Sequence, residues 1–382
     1  MDKITLRNGN ARGVSKEKRI AIPAGREYIE PMLRGAAERK DFFVTKRMKL
    51  ADIAREAGVS TTAVSFYING KARQYKLSKE TCERIGAVVR KYDFVPNLFA
   101  RAMQHNRTYL IGVVICDRIN ASFWSDIIAG MEQEVAPCRY NLLLSTRTGP
   151  ESEREAVRLM RSKGVDAYAV CPVTSPDGNA VNGELFQKLA AERPVITLNR
   201  AVPGVAGVYH DELSGGRLAA DALLDAGLSR LALFGKGFRS GLGRLRGFLD
   251  RCAERGIEPF GLFEEPGSLL AAAVPPAGVF CFSDRDAMLL SCAVTAHGFR
   301  VPEELSLVGY DGVEWSEMTV PKLTTIRQFK TELGIRAARR LIAILEEGAP
   351  DDHHHEVLQP VLQAGGSVRA PASGKGAVDD VD

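Results

Sequence analysis

Apolar residues follow two different rhythms along this chain. From Leu50 they fall at 50, 53, 54 and 57, the i, i+3, i+4, i+7 face of a short helix. Gly58-Val59-Ser60 interrupts that face, Gly58 being free to take a positive φ and Ser60 placed to cap a second helix. The second helix shows a buried face of Val64, Tyr67 and Ile68 and stops at Asn69-Gly70. A basic loop, Lys71 to Lys76, follows; Ser78 then caps a third helix with the stripe Ile85, Val88, Val89 and Tyr92. The spacing predicts a small all-α helix-turn-helix head over 48–94.

Beyond Tyr109 the rhythm changes to alternating strands and helices. Apolar strand candidates are 109–115, 141–145, 167–171, 195–199, 230–234, 278–282 and 306–310. Amphipathic segments near 123–135, 152–163, 214–226, 243–255, 284–297 and 331–347 alternate with most of them. Repeated βα units imply a mainly parallel sheet with helices on both faces. The length, 108–365, is long for one sheet and predicts two doubly wound lobes with a ligand crevice between them. The last residues, 366–382, rich in Gly, Ala, Ser and Asp, are expected to be a disordered tail.

Charge sharpens this division. The net charge is +4, but residues 1–110 carry 23 Lys+Arg against 11 Asp+Glu, and the remainder carries 28 against 36. A basic head (+12) on an acidic body (−8) suits a head that meets phosphate and a body that does not. Seven scattered cysteines, never in a C-x-x-C pair, point to reduced structural thiols, not a disulfide or zinc framework. No apolar run approaches the roughly 18 residues of a membrane span, and the first thirty residues hold no signal core, so a cytoplasmic protein is expected. Residues 1–47 are polar and weakly periodic, and are expected to be a disordered extension or a mis-assigned start, the working protein beginning at Met48.

Four segments, LADIAREAGVSTTAVSFYING, VPNLFARAM, LVGYDG and KLTTIRQ, carry a resemblance to the lactose-repressor (LacI/GalR) family of bacterial transcription regulators, over about 48–366. The head resembles the fructose-repressor branch in particular, through the long basic loop of INGKARQYKLSKET. The resemblance implies a repressor that is not an enzyme and needs no cofactor. It further implies a homodimer or tetramer on a palindromic double-stranded operator, and a sensor similar to periplasmic sugar-binding proteins.

In a helix-turn-helix the second helix lies in the major groove with its N-terminal residues against base edges. Here Ser60 opens that helix, Thr61, Thr62 and Ala63 follow, and Ser65 lies one step further. Thr can bond a base edge or touch a thymine methyl, Ala only the methyl, so base reading is modest. Phe66 stands where many family members carry Arg. Asn69, Lys71, Arg73 and Lys76 are candidates for phosphate contacts, which position without reading sequence. At 95–107, Pro96 and Asn97 start a helix too short to be stable alone. The resemblance implies that it folds on DNA and wedges Met103, with Ala100 beside it, into the minor groove.

For the sensor, the resemblance assigns effector contacts to Arg244 in GRLRGF, Asp311 in GYDG, Thr174, Arg200 in ITLNR and Ser283, with Phe123 or Trp124 stacking on an apolar sugar face. The Gly-rich run 235–243 meets neither dinucleotide nor P-loop spacing and reads as a strand-to-helix loop. It places Lys236, Arg239 and Arg244 near one edge; with Arg200 and Arg285 they suggest an anionic effector, a sugar phosphate or sugar acid. His353-His354-His355 lacks a paired ligand cluster, so no metal is expected. Two other readings stand beside the regulator. A periplasmic sugar-binding protein has no use for 48–103, and a nucleotide-dependent α/β enzyme needs a phosphate loop and catalytic set that this chain does not show.

Overall fold

A computed structural model describes residues 3–6, 18–21, 48–94, 107–115, 122–146, 148–239, 241–350 and 353–370. The chain falls into two units, Met1–Ala100 and Arg101–Asp382. Asn97, Ala100 and Met103, the expected hinge residues, lie outside the described residues.

In the first unit, β1 (Lys3–Leu6) pairs antiparallel with β2 (Lys18–Ala21), inside the segment expected to be a bare extension. The head consists of α1 (Leu50–Ala57), α2 (Thr61–Ile68) and α3 (Lys79–Lys91). Gly58 ends α1 at φ 61°, in the left-handed region glycine enters without a Cβ clash. Ser60 Oγ accepts the Ala63 amide at 3.1 Å and Ser78 Oγ accepts the Thr81 amide at 3.1 Å, so both expected caps are formed. Ile53, Ala54, Ala57, Val64, Ile85 and Val88 form the core, with Tyr67, Ile68 and Val89 packed at its margin. Tyr92, expected in the apolar stripe, turns outward. Its hydroxyl and the Lys91 ammonium both bond Glu56, at 2.9 and 2.6 Å, tying α3 to α1.

The second unit is two lobes. β3 (Leu110–Ile115), α4 (Ser122–Val135), β4 (Asn141–Thr146), α5 (Pro150–Ser162), β5 (Ala167–Cys171), α6 (Gly183–Ala190), β6 (Val195–Leu198) and β7 (Gly207–His210) build the first lobe. The chain then crosses into α7 (Glu212–Leu224), β8 (Leu231–Phe234), α8 (Leu242–Glu254), β9 (Leu262–Phe263), α9 (Pro266–Ala272), β10 (Ala277–Cys281), α10 (Asp284–Ala296), β11 (Leu305–Asp311) and β12 (Thr324–Arg327). It returns for α11 (Lys330–Ile342) and β13 (His355–Leu358), and ends on the second lobe with β14 (Val361–Gln363).

The first sheet has the order β13-β7-β6-β5-β3-β4, parallel throughout; the second has β14-β12-β11-β10-β8-β9, with only β14 antiparallel. Helices cover both faces of each sheet, so the central strands are buried on both sides and read as continuous apolar runs. Each lobe closes one helix pair through glycines. α4 crosses α11 where Cβ atoms on Gly130 and Gly334 would overlap the carbonyl oxygens of Thr331 and Ile127. α7 crosses α8 where Cβ atoms on Gly216 and Gly247 would overlap those of Arg244 and Leu213. The segment expected as a tail begins as structure: Ser367 is buried, its hydroxyl donating to the Leu307 carbonyl at 2.6 Å and accepting the Thr324 amide at 2.8 Å.

Candidate functional site

On the head, the exposed side of α2 begins at Thr61 and Thr62; Ala63 and Ser65 are half-buried beside them. Asn69 donates to Ser65 Oγ at 3.3 Å, which holds both polar groups at the end of α2. Lys71, Arg73 and Lys76 are exposed and, among the described residues, have no carboxylate partner. Free cations beside a short polar helix form a surface suited to phosphate.

The sensor's sheets each reverse strand order once, between β3 and β5 in the first lobe and between β8 and β10 in the second. Ligands of open α/β sheets bind at the carboxyl ends of strands flanking such points. The segment after β3 leads to Phe123, the one after β5 carries Thr174, and the one after β10 carries Ser283. Phe123 is half-buried and meets Trp124 edge-on at 5.3 Å. Trp124 is buried in the first lobe's core, leaving Phe123 as the more accessible of the two rings. Thr174 is half-buried, in an isolated bridge with Ala180. Arg200 donates to the Pro172 carbonyl at 2.9 Å, across the ends of β6 and β5. Ser283 caps α10, accepting the Asp286 amide at 3.2 Å and donating to the Asp286 carboxylate at 2.8 Å.

Arg244 is the centre of the second lobe's contribution. Its Nε and Nη2 donate to the two oxygens of Glu212 at 2.6 and 2.8 Å, and its Nη1 donates to the Phe282 carbonyl at 2.7 Å and to Asp311 at 3.4 Å. Four of a guanidinium's five N–H donors are thus engaged. Its carbon lies 3.7 Å from the centre of the Tyr310 ring and 4.6 Å from that of Phe282, so the fork is sandwiched as well as paired. Burial works against the charge of Arg244, but Glu212 and Asp311 outweigh it and raise its basicity. Burial pushes the Asp311 carboxyl up to about 7 despite Arg244, and Asp284 to about 6 despite bonds from Thr325 and the Val313 amide.

Asp311 also adopts φ 108°, which side chains other than glycine's rarely do. Lys330, at the start of α11, holds it there. Its ammonium donates to the carbonyls of Asp311 and Gly312 at 2.9 and 2.8 Å and lies 3.5 Å from the Asp126 carboxylate on α4. A buried cation of the first lobe therefore grips the strand end of the second. Behind it, His210 Nδ1 lies 2.9 Å from Asn199 Oδ1, and burial holds this imidazole down at about 4.

Glu212, Phe282, Tyr310, Gln328 and Lys330 were not among the expected site residues. Glu212 and Lys330 each open a helix immediately after a crossing between lobes, a signal that becomes readable only once the crossings are known. The cations expected to favour an anion differ in their partners, and Arg285 is exposed at the start of α10. Arg244 is paired with Glu212 and Asp311, Lys236 pairs with Glu265 at 3.1 Å, Arg200 is bonded to a carbonyl, and the Arg239 side chain lies outside the described set. His355 Nε2 lies 3.0 Å from the Val205 carbonyl oxygen, and among the described residues no group of His, Cys, Asp or Glu is placed to hold a metal ion. No helix among them is long and apolar enough to cross a membrane.

These two sites agree with what the chain resembles. Residues 49–97 match the bacterial regulatory proteins of the lacI family, 108–264 the periplasmic binding proteins and sugar binding domain of the LacI family, and 220–368 a periplasmic binding protein-like domain. The ribose operon repressor of Haemophilus influenzae is 29% identical over 333 residues, covering 81% of this chain and 96% of its own. The transcriptional repressor PurR of Vibrio cholerae is 30% identical over 331 residues, covering 80% and 92%. The lac repressor dimer bound to operator and an anti-inducer superposes with a TM-score of 0.75 at 24% identity, over 85% of this chain and all of that one. A LacI family regulator from Enterococcus faecium with bound ribose gives 0.60 at 26%, over 69% and 100%. The chain belongs to the LacI family: it is a DNA-binding transcriptional repressor with an effector-binding domain, not an enzyme. These relatives, ribose repressor and PurR, give no support to the fructose-repressor branch.

Proposed function

We propose that this repressor is switched by a neutral polyhydroxylated molecule, a sugar, bound between the two lobes of 108–365. The observation that carries this is the state of Arg244, whose charge is already met by the two-pronged pair with Glu212. An anionic ligand at Arg244 would enter beside the Glu212 carboxylate that already occupies its fork, whereas hydroxyls both donate to carboxylates and accept from guanidinium. In this reading Asp311 and Arg244 hold ligand hydroxyls, Thr174, Arg200 and Ser283 border them, and Phe123, or Trp124 behind it, supports an apolar sugar face. The ribose named for two relatives is of this chemical class. The sugar shifts DNA affinity only by as much as it prefers one lobe arrangement over another.

The DNA half acts through Ser60, Thr61, Thr62, Ala63 and Ser65 against bases and through Asn69, Lys71, Arg73 and Lys76 against phosphates. Asn97, Ala100 and Met103 form a hinge in the minor groove of a palindromic operator, bound by a homodimer or tetramer in the cytoplasm. Thermal melting of the full chain with ribose, other neutral sugars and their phosphates tests the effector. A rise with phosphorylated sugars alone overturns the neutral reading. On the DNA side, each of Lys71→Ala, Arg73→Ala and Lys76→Ala should lower the slope of log affinity against log salt by about 1. An unchanged slope removes that residue from the phosphate contacts.

A further inference from the structure

The exposed side of α2 carries an unexpected group. Phe66 lies one turn beyond Thr62, and the ring of Tyr75, from the following loop, stacks on it with centroids 3.6 Å apart and planes 3° from parallel. This is not a chance contact of a loose loop. The Lys71 amide donates to the Phe66 carbonyl at 2.8 Å, that of Tyr75 to the Lys71 carbonyl at 3.1 Å, and that of Leu77 to the Ala72 carbonyl at 2.9 Å. Lys76 takes φ 50° as the loop turns back. The backbone thus folds the loop onto the helix and delivers Tyr75 to Phe66 before any DNA is present.

The resulting slab is neither core nor idle surface. Phe66 is half-buried and Tyr75 remains 47% exposed, while the head's core residues lie on the opposite side of α2 around Val64. Lys71, Arg73 and Lys76, in the same loop as Tyr75, add exposed positive charge. An apolar plate with cations in its loop, next to Thr62 and Ser65, is complementary to the floor of a major groove walled by phosphates. The only apolar group a base edge offers there is the thymine C5-methyl.

We infer that Phe66, backed by Tyr75, is a specificity-determining residue that reads a thymine methyl group in the major groove. Phe66 presents its ring edge to the methyl; Tyr75 fixes that ring and holds the basic loop at the depth of the phosphates. Apolar reading by the slab supplies discrimination that Thr61, Thr62 and Ala63 deliver only weakly.

The test uses the full chain and a duplex it selects from random-sequence DNA. Each thymine of that duplex is replaced in turn by uracil, which removes the methyl and nothing else. At one position per half-site or more, wild-type binding should weaken roughly fourfold, the effect of withdrawing one buried methyl group from contact. Phe66→Ala should bind the same duplex more weakly and be indifferent to uracil at that position, while Phe66→Leu retains part of the sensitivity. Tyr75→Ala should lose specific binding more than binding to unrelated DNA. Uracil at every position without effect on the wild type overturns the inference whether or not the variants fold, as does a selected duplex without thymine. So does equal uracil sensitivity in wild type and a folded Phe66→Ala. Failure to select any duplex overturns it together with DNA recognition itself, which keeps the two failures apart.

Discussion

Glu212 and Arg244 meet in a two-pronged pair, 2.6 and 2.8 Å, across the α7–α8 crossing. Arg244 is almost fully buried, at 8% side-chain exposure, and Glu212 is 26% exposed. Breaking a buried pair from one side costs about 3–5 kcal/mol, and the partial exposure of Glu212 should bring Glu212→Gln to or below the low end of that range. Arg244→Lys keeps the charge but cannot fork, and should lose most of the coupling in a double-mutant cycle. Denaturant melts of the two single variants and the double variant measure this; additive effects would show that the pair contributes no coupling.

That pair depends on the glycine crossing beneath it. Gly216→Ala or Gly247→Ala presses a methyl against a backbone carbonyl, which cannot rotate away, and should cost about 1–3 kcal/mol or more. Gly130→Ala should behave alike in the first lobe. Gly267→Ala, on α9 with open space around it, should be neutral or slightly stabilising, since alanine favours helix by about 1 kcal/mol. Thermal denaturation of the four variants decides the point, and equal effects at all four would refute the close-approach account.

The buried acids and His210 give stability opposite dependences on pH. Asp311 and Asp284, lifted to about 7 and about 6, hold protons more tightly folded than unfolded. Their contribution is complete below the unfolded carboxylate value and is lost as pH rises through the folded values. His210, held at about 4, contributes stability above its unfolded value that is lost as pH falls through the folded one. As pH rises from about 4 to about 7 the acids therefore withdraw stability, and Asp311→Asn should lose melting temperature less steeply than the wild type across that window. Between about pH 6.5 and about 4 the His210 contribution opposes that of the acids, so His210→Gln should gain stability relative to the wild type as pH falls. Variant profiles that run parallel to the wild type at every pH would show these groups titrating normally in the fold.

Lys330 and Asp126 form an ion pair of unequal partners, 5% and 44% exposed. Lys330→Met removes the ammonium from two second-lobe carbonyls, of which that of Asp311 keeps the Gln328 amide at 3.3 Å, and should cost about 1–3 kcal/mol. Asp126→Asn removes a partner with ready access to water and should cost less than about 1 kcal/mol. The contrast, read by urea titration, separates a tie between lobes from a tie between two helices of one lobe; equal losses would favour the latter.

Much of this molecule was legible in its apolar rhythm. The caps at Ser60 and Ser78 and the long βα units were read to within about two residues, because their signals are local. The strands β7, β12, β13 and β14 were not: unlike the equally short, largely apolar β6 and β8, they mix in His, Arg, Glu, Gln or Gly, and their burial comes from neighbours distant in sequence. The same reason hid Glu212 and Lys330, ordinary first-turn residues of surface-patterned helices until the crossings bring them under Arg244 and Asp311. Counting cations along the chain likewise omits the carboxylates that folding sets beside them, as Glu212 beside Arg244. Tyr75 read as part of a basic loop, and only the loop's own hydrogen bonds turn it onto Phe66.

If the effector binds at Arg244, as proposed above, Glu212 is its resident competitor. With the guanidinium of Arg244 already served by a carboxylate in fork geometry, an arriving sugar does not meet a vacant cation. It must offer hydroxyls that improve on, or join, an arrangement already satisfied. On that proposal, weak, one-point ligands would be turned away, and the response threshold would be set by a difference between two occupancies of the same arginine. Substitutions at Glu212 should accordingly move the concentration at which the repressor responds without redrawing the site.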